Sequence, residues 1–224
     1  MDFFGSEKGK IFFERLAARY PKQVALLDAG KLFDADGWGN IRRHCLVQAA
    51  AIEVLGDFLQ LPAHDVGLMA EVAACHDYRK RADKRPGDFN DAELSQLDVL
   101  FAEADLRLNL LNSTNPSFIP RFVCEDTTVW ERIQFIVDDM TGPDGTIVSF
   151  DQRVDEVSRR NPDPEPEIRE QLGRSYWDVE REVGHLILTD IFVRLRQKGE
   201  NIRYPSELSE FLNAGIAARI EATV

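Results

Sequence analysis

The sequence predicts an all-α protein, and three observations carry that expectation. Apolar residues recur at spacings of three and four, with charges opposite, through residues 8–20, 39–61, 65–77, 91–111, 127–140, 150–160, 175–197 and 205–221. Runs that alternate with period two are scarce, and TIVSF at 146–150 is the only strand-like scrap. Gly and Pro punctuate the joints between the periodic stretches.

Taken in order, the first stretch is KGKIFFERLAARY, and Gly37 and Gly39 precede the second. In that second stretch Ile41, His44, Gln48, Ala51, Ile52 and Leu55 fall on one side, so His44 points into the bundle. Pro62 precedes the third, where Asp65 suits a helix cap by accepting a backbone N–H. This helix is apolar almost to its end and closes on His76-Asp77, before a basic run that stops at Pro86-Gly87. WERIQFIVDDM again ends an apolar helix in acid, ahead of turns at Gly142-Pro143 and Asp144-Gly145. Asn161-Pro-Asp-Pro-Glu-Pro166 favours an extended path. The helices after it are too few for a core of their own, so they pack back and residues 1–224 form a single domain. There is no internal repeat.

A formal charge of −12 argues against duplex nucleic acid and anionic membrane as partners, because both need a broad cationic face. No stretch approaches 18 uncharged apolar residues. Cys45, Cys75 and Cys124 have no disulfide or zinc-knuckle spacing, and MDFFGSEKGK lacks a secretory apolar run, so a reducing cytoplasm is the expected location. The composition is compatible with a homo-oligomer.

His-Asp occurs twice, at His64-Asp65 and His76-Asp77. About 12 residues separate them, ~18 Å along a helix, so both cannot serve one ion. His76-Asp77 ends a helix that runs through a core, where a buried imidazole and carboxylate need partners. A divalent cation would serve both, and a His-Asp hydrogen bond closing the helix would be the plain alternative. Cys45 and Cys75 lie about 100° round the helix from their histidine neighbours and suit packing. Asp139 follows Phe135 and Ile136 on the inner side, whereas Asp138 shares a face with Glu131 and Gln134 and reads as a solvated neighbour.

His44, then His76-Asp77, then Asp139 resembles, in order and rough separation, the HD superfamily of metal-dependent phosphohydrolases. The similarity covers about residues 38–160 and includes Lys80 at the third position after the Asp, in HDYRK. It implies an HD-like helical bundle with extra N-terminal helices and a C-terminal extension over 161–224. It also implies one divalent ion, whether Mn, Co, Mg, Ni, Fe or Zn, on His44, His76, Asp77 and Asp139. No histidine lies between Asp77 and Asp138, so the extra ligands of two-metal relatives are missing and the site is mononuclear. His185 falls beyond the pattern, as a helix-face residue.

The expected activity is hydrolysis of a small phosphate ester, plausibly a nucleotide, by metal-activated water. Arg43, Arg79, Lys80 and Arg81 would bind the phosphate, Lys80 would neutralise developing charge, and Asp77 would coordinate and accept a proton. Asp83 and Asp88 are the candidate general acids. From a different class, a catalytically weak ligand-binding or regulatory HD-like domain fits the same pattern. For the basic run the plain alternative is a solvated helix end.

Overall fold

The computed structural model describes residues 2–124, 127–162 and 164–223, and the side chain of Cys124 lies outside the description, as does Asp163 of the proline-rich stretch. The helices in chain order are α1 (Glu7–Arg19), α2 (Pro21–Ala29), α3 (Gly39–Phe58), α4 (Ala63–Ala73), α5 (Lys80–Lys84), α6 (Asp91–Ala104) and α7 (Leu108–Asn112). They continue as α8 (Ile119–Cys124), α9 (Val129–Met140), α10 (Phe150–Arg160), α11 (Pro166–Leu172), α12 (Tyr176–Gln197) and α13 (Leu208–Glu221). Among the described residues there is no strand, and the protein is all-α.

Helix starts follow local chemistry. Ser6, Ser149 and Ser175 accept N–H bonds at the heads of α1, α10 and α12. Asn90 with Glu93, and Thr128 with Glu131, form reciprocal capping boxes on α6 and α9. Asp65 does not cap α4; Pro62 occupies that position and Asp65 sits in the first turn. The periodic stretch 91–111 breaks at Asp105, which is left-handed at φ 52°. Prolines in the first turn open α2 and α11, two short helices that the periodicity does not signal. The strand-like TIVSF resolves into a turn: Ile147 makes an isolated bridge to Thr141, and Ser149-Phe150 begin α10.

Helix α3 is the hub and is buried on nearly every side from Cys45 to Gly56, as expected of a helix apolar all round. It packs on α4, α9, α13 and α1. Two glycines set these approaches. A Cβ on Gly56 would lie 2.5 Å from Val66 of α4, and one on Gly215 of α13 would lie 2.4 Å from Val54 of α3. The tail is part of the same core: Ile191 and Leu195 of α12 and Leu212 and Ile216 of α13 are fully buried. No helix is long and apolar enough to cross a membrane.

On the α1–α13 side of α3, the buried Glu53 ties three elements together. Tyr20 Oη donates to Oε1 at 2.6 Å, and Arg19 and Arg219 donate to Oε2 at 2.9 and 2.8 Å. Burial and the adjacent Glu53 carboxylate push the Tyr20 pKa above the ordinary tyrosine value.

Candidate metal centre

Three elements converge opposite that side. Helix α3 contributes His44, the turn between α4 and α5 contributes His76 and Asp77, and α9 contributes Asp138. Both imidazoles are anchored through Nδ1, His44 to Gly142 O at 3.1 Å and His76 to Ala73 O at 3.0 Å. A carbonyl can only accept, so Nδ1 carries a proton, and in the form that ligates a metal each ring turns a lone pair outward at Nε2. The two Nε2 atoms lie 3.2 Å apart. Asp138 Oδ1 is 3.0 Å from His44 Nε2 and 3.3 Å from His76 Nε2, and Asp77 Oδ2 is 3.8 Å from His76 Nε2.

Four acceptors therefore face one another. The donors reaching them are Gln48 Nε2, 2.7 Å from Asp138 Oδ1, and Lys80 Nζ, which pairs with Asp77. Neutral lone pairs at this separation repel unless a proton or cation lies between them. His44, His76 and Asp77 each offer a ligand atom, all within 4.8 Å of one another, and could hold a metal ion. The donor set fits one: imidazoles fixed through Nδ1–H to carbonyls are oriented for Nε2 ligation, and mixed nitrogen and carboxylate donors suit divalent transition ions.

The electrostatics point the same way. Burial opposes charge on His76, but Cys45, Asp138 and Asp77 outweigh it and raise its pKa well above the usual value. For Asp138, burial is outweighed by His76 and His44, which hold the carboxyl well below the usual range. Asp77 is lowered against burial by His76, Lys80 and His44. Positive charge among these atoms is favoured.

Asp139, expected as the fourth ligand, does not meet the histidines; Asp138 does. One residue further round α9, Asp139 lies beside Glu180 of α12, with Tyr176 and Arg153 close by. Burial, then the Glu180 and Asp138 charges, push Asp139 well above the carboxylate range. Burial lifts Glu180 to about 7.

Most of the basic run also turns away. Arg43 pairs with Asp34 at 2.8 Å and lies over the Phe4 ring. Arg79 binds Asp98 at 2.6 Å and Asp83 at 3.3 Å, and Arg81 binds Asp36 at 2.8 Å and Asp88 at 2.9 Å. The expected phosphate ligands Arg43, Arg79 and Arg81 are thus spent on internal ion pairs. The expected acids Asp83 and Asp88 are their partners. Lys80 alone among the expected cations turns to the candidate centre, while Lys84 and Arg85 line the cleft and have no acid partner among the described residues.

His64 is exposed in the first turn of α4, and His185 is exposed on α12, 3.0 Å from Asp151. Cys45 and Cys75 are buried, and Cys45 Sγ lies 3.8 Å from His76 Nδ1, the side facing away from the candidate centre.

The centre floors a cleft of about 1000 Å³. Asp139, Glu180, Tyr176 and the α10 residues Arg153, Val157 and Arg160 also line it. Sequence reasoning passed over Glu180; no local signal marks it, because α12 meets α9 only in the tertiary structure. Gln48 was legible, four residues after His44 on the same face. No protein-family model matches the chain, and neither a curated protein nor a solved structure matches it.

Proposed function

We propose that the chain is a single-metal phosphohydrolase of small phosphate esters, of the HD type. One observation carries the reading: two backbone-anchored imidazoles and two carboxylates point their acceptors at one spot on the floor of a cleft. A divalent ion on that set supplies Lewis-acid charge and a bound water acidic enough to be a nucleophile near neutral pH.

The chain's own residues provide the rest. Asp138 and Asp77 hold negative charge at the centre, with Gln48 fixing the first and Lys80 the second. Lys80 lines the cleft, so it can neutralise an oxygen of the phosphoryl group as charge moves onto it. Lys84 and Arg85, without an acid partner among the described residues, leave positive charge in the cleft of a protein whose formal charge is −12, which steers an anion inward.

The test begins with protein purified without chelators, metal analysis, and a phosphomonoester screen with added Mn²⁺, Co²⁺, Mg²⁺ or Zn²⁺. Metal uptake and release of phosphate are expected. Lys80→Ala should then lower kcat about 10²- to 10³-fold. Protein that takes up no metal overturns the reading; an affinity loss at unchanged kcat would instead indicate a binding domain.

A further inference from the structure

We infer that the cleft contains a second anion-binding subsite on α10, centred on Arg153, so that the substrate carries a second anionic group besides its phosphate ester. The phosphate half of this statement rests on the hydrolase reading above. The Arg153 half rests on the α10 residues that line the cleft.

Arg153 lines the cleft with its side chain only 15% exposed. Its Nη1 has no hydrogen-bond partner among the described residues, and the carboxylate it pairs with, Glu156, stays 3.7 Å away. Buried guanidinium donors are ordinarily filled. Elsewhere in this chain they are: Arg81 reaches carboxylates at 2.8 and 2.9 Å, and Arg219 reaches Glu53 at 2.8 Å. The Arg153 guanidinium therefore keeps an open donor in the cleft. A guanidinium in that condition suits the paired oxygens of a carboxylate or phosphate.

The rest of the face agrees. Val157 and Arg160 follow Arg153 at steps of four and three and also line the cleft, with Arg160 Nη2 on Glu156 at 2.9 Å and its side chain more exposed than that of Arg153. Arg160 lies about 10 Å along the helix from Arg153. The volume of about 1000 Å³ accommodates a molecule that reaches both the metal-centre residues and α10.

Phosphonates, whose C–P bond cannot be hydrolysed, make the test independent of turnover. Isothermal titration of the full chain in saturating Mn²⁺ would compare propylphosphonate with 4-phosphonobutyrate, which adds a carboxylate, and with propane-1,3-bisphosphonate, which adds a second phosphonate. The two arms distinguish the sources of the second charge. At least one bis-anion should bind about 10-fold or more tighter than propylphosphonate. Arg153→Gln should erase that preference and leave propylphosphonate within about twofold. Should Arg153→Gln fail to fold, Arg153→Lys, which keeps the charge without the fork, should reduce the preference, and so should Arg160→Gln on a more exposed side chain.

Equal binding of all three ligands, no binding at all, or an equal loss for all three in the variants would overturn the subsite. An Arg153-dependent preference in a protein that hydrolyses no phosphoester would keep the subsite and sink the hydrolase. Hydrolysis without that preference would do the reverse.

Discussion

Helix α3 carries a buried polar cluster on each of two sides, and the clusters differ in how donors and acceptors balance. Around Glu53, two arginines and a tyrosine donate to one carboxylate, so every participant is satisfied within the chain. Around His44, two imidazole nitrogens and two carboxylates face one another with only Gln48 and Lys80 donating. A buried polar group is costly unless paired, so the first cluster completes a structure and the second calls for an added cation. Burial alone does not separate a structural cluster from a functional one; the surplus of acceptors does.

The largest expected effect tests that surplus directly. His76→Ala or Asp138→Ala should abolish metal retention in protein that stays folded, while Asp139→Ala and His64→Ala keep it; metal content of the purified variants decides. Retention by Asp138→Ala with loss in Asp139→Ala would return the fourth position to Asp139.

The surplus extends past Asp138 to the Asp139–Glu180 pair. Burial raises the Glu180 pKa to about 7, so the folded protein holds a proton that the unfolded chain releases at lower pH. Stability from this group is present in acid and is lost as pH rises through about 7. Relative to Glu180→Gln, the parent chain should lose roughly 3 kcal/mol between pH 5 and 8, read from denaturant unfolding at each pH. A difference that does not vary with pH would remove the acid pair from the account.

The balanced cluster should behave in the opposite way. Glu53→Ala leaves Arg219 and Tyr20 without their shared acceptor and should cost about 2–3 kcal/mol of stability, discounted because Arg19 is more than half exposed. Metal content should not change. Gln48→Leu, which removes the one donor to Asp138 from α3, should weaken metal binding about 10- to 100-fold and leave stability nearly intact. The smallest effect belongs to Arg79→Ala: its ion pairs are exposed, so about 0.2–1 kcal/mol of stability and no change in turnover are expected.

The helical class and most helix positions were legible because amphipathic period and capping chemistry are local. His44 was placed inward correctly for the same reason, since one long helix with a consistent apolar side leaves little choice. The Asp138–Asp139 choice failed on a physical point. Helix α9 packs against α3 and α4 on one side and against α10 and α12 on another, and its residues from Ile133 to Val137 are all buried. A helix surrounded by protein has no single inner face, so periodicity could not say which neighbour each aspartate meets.

Charge partners were equally hidden. The run Arg79 to Arg81 suggested a phosphate site because cations cluster in sequence, yet Arg81 finds Asp36 and Arg79 finds Asp98 across the fold. Ion pairs are set by spatial proximity, which the chain path determines only after packing. The sequence by itself determined the helices, the His-Asp turn and the inward imidazole, because each depends on residues within a few turns. The tertiary structure alone decided which carboxylate meets the histidines, which cations find partners, and that Arg153 lines the same cleft, because each depends on where the helices come to rest.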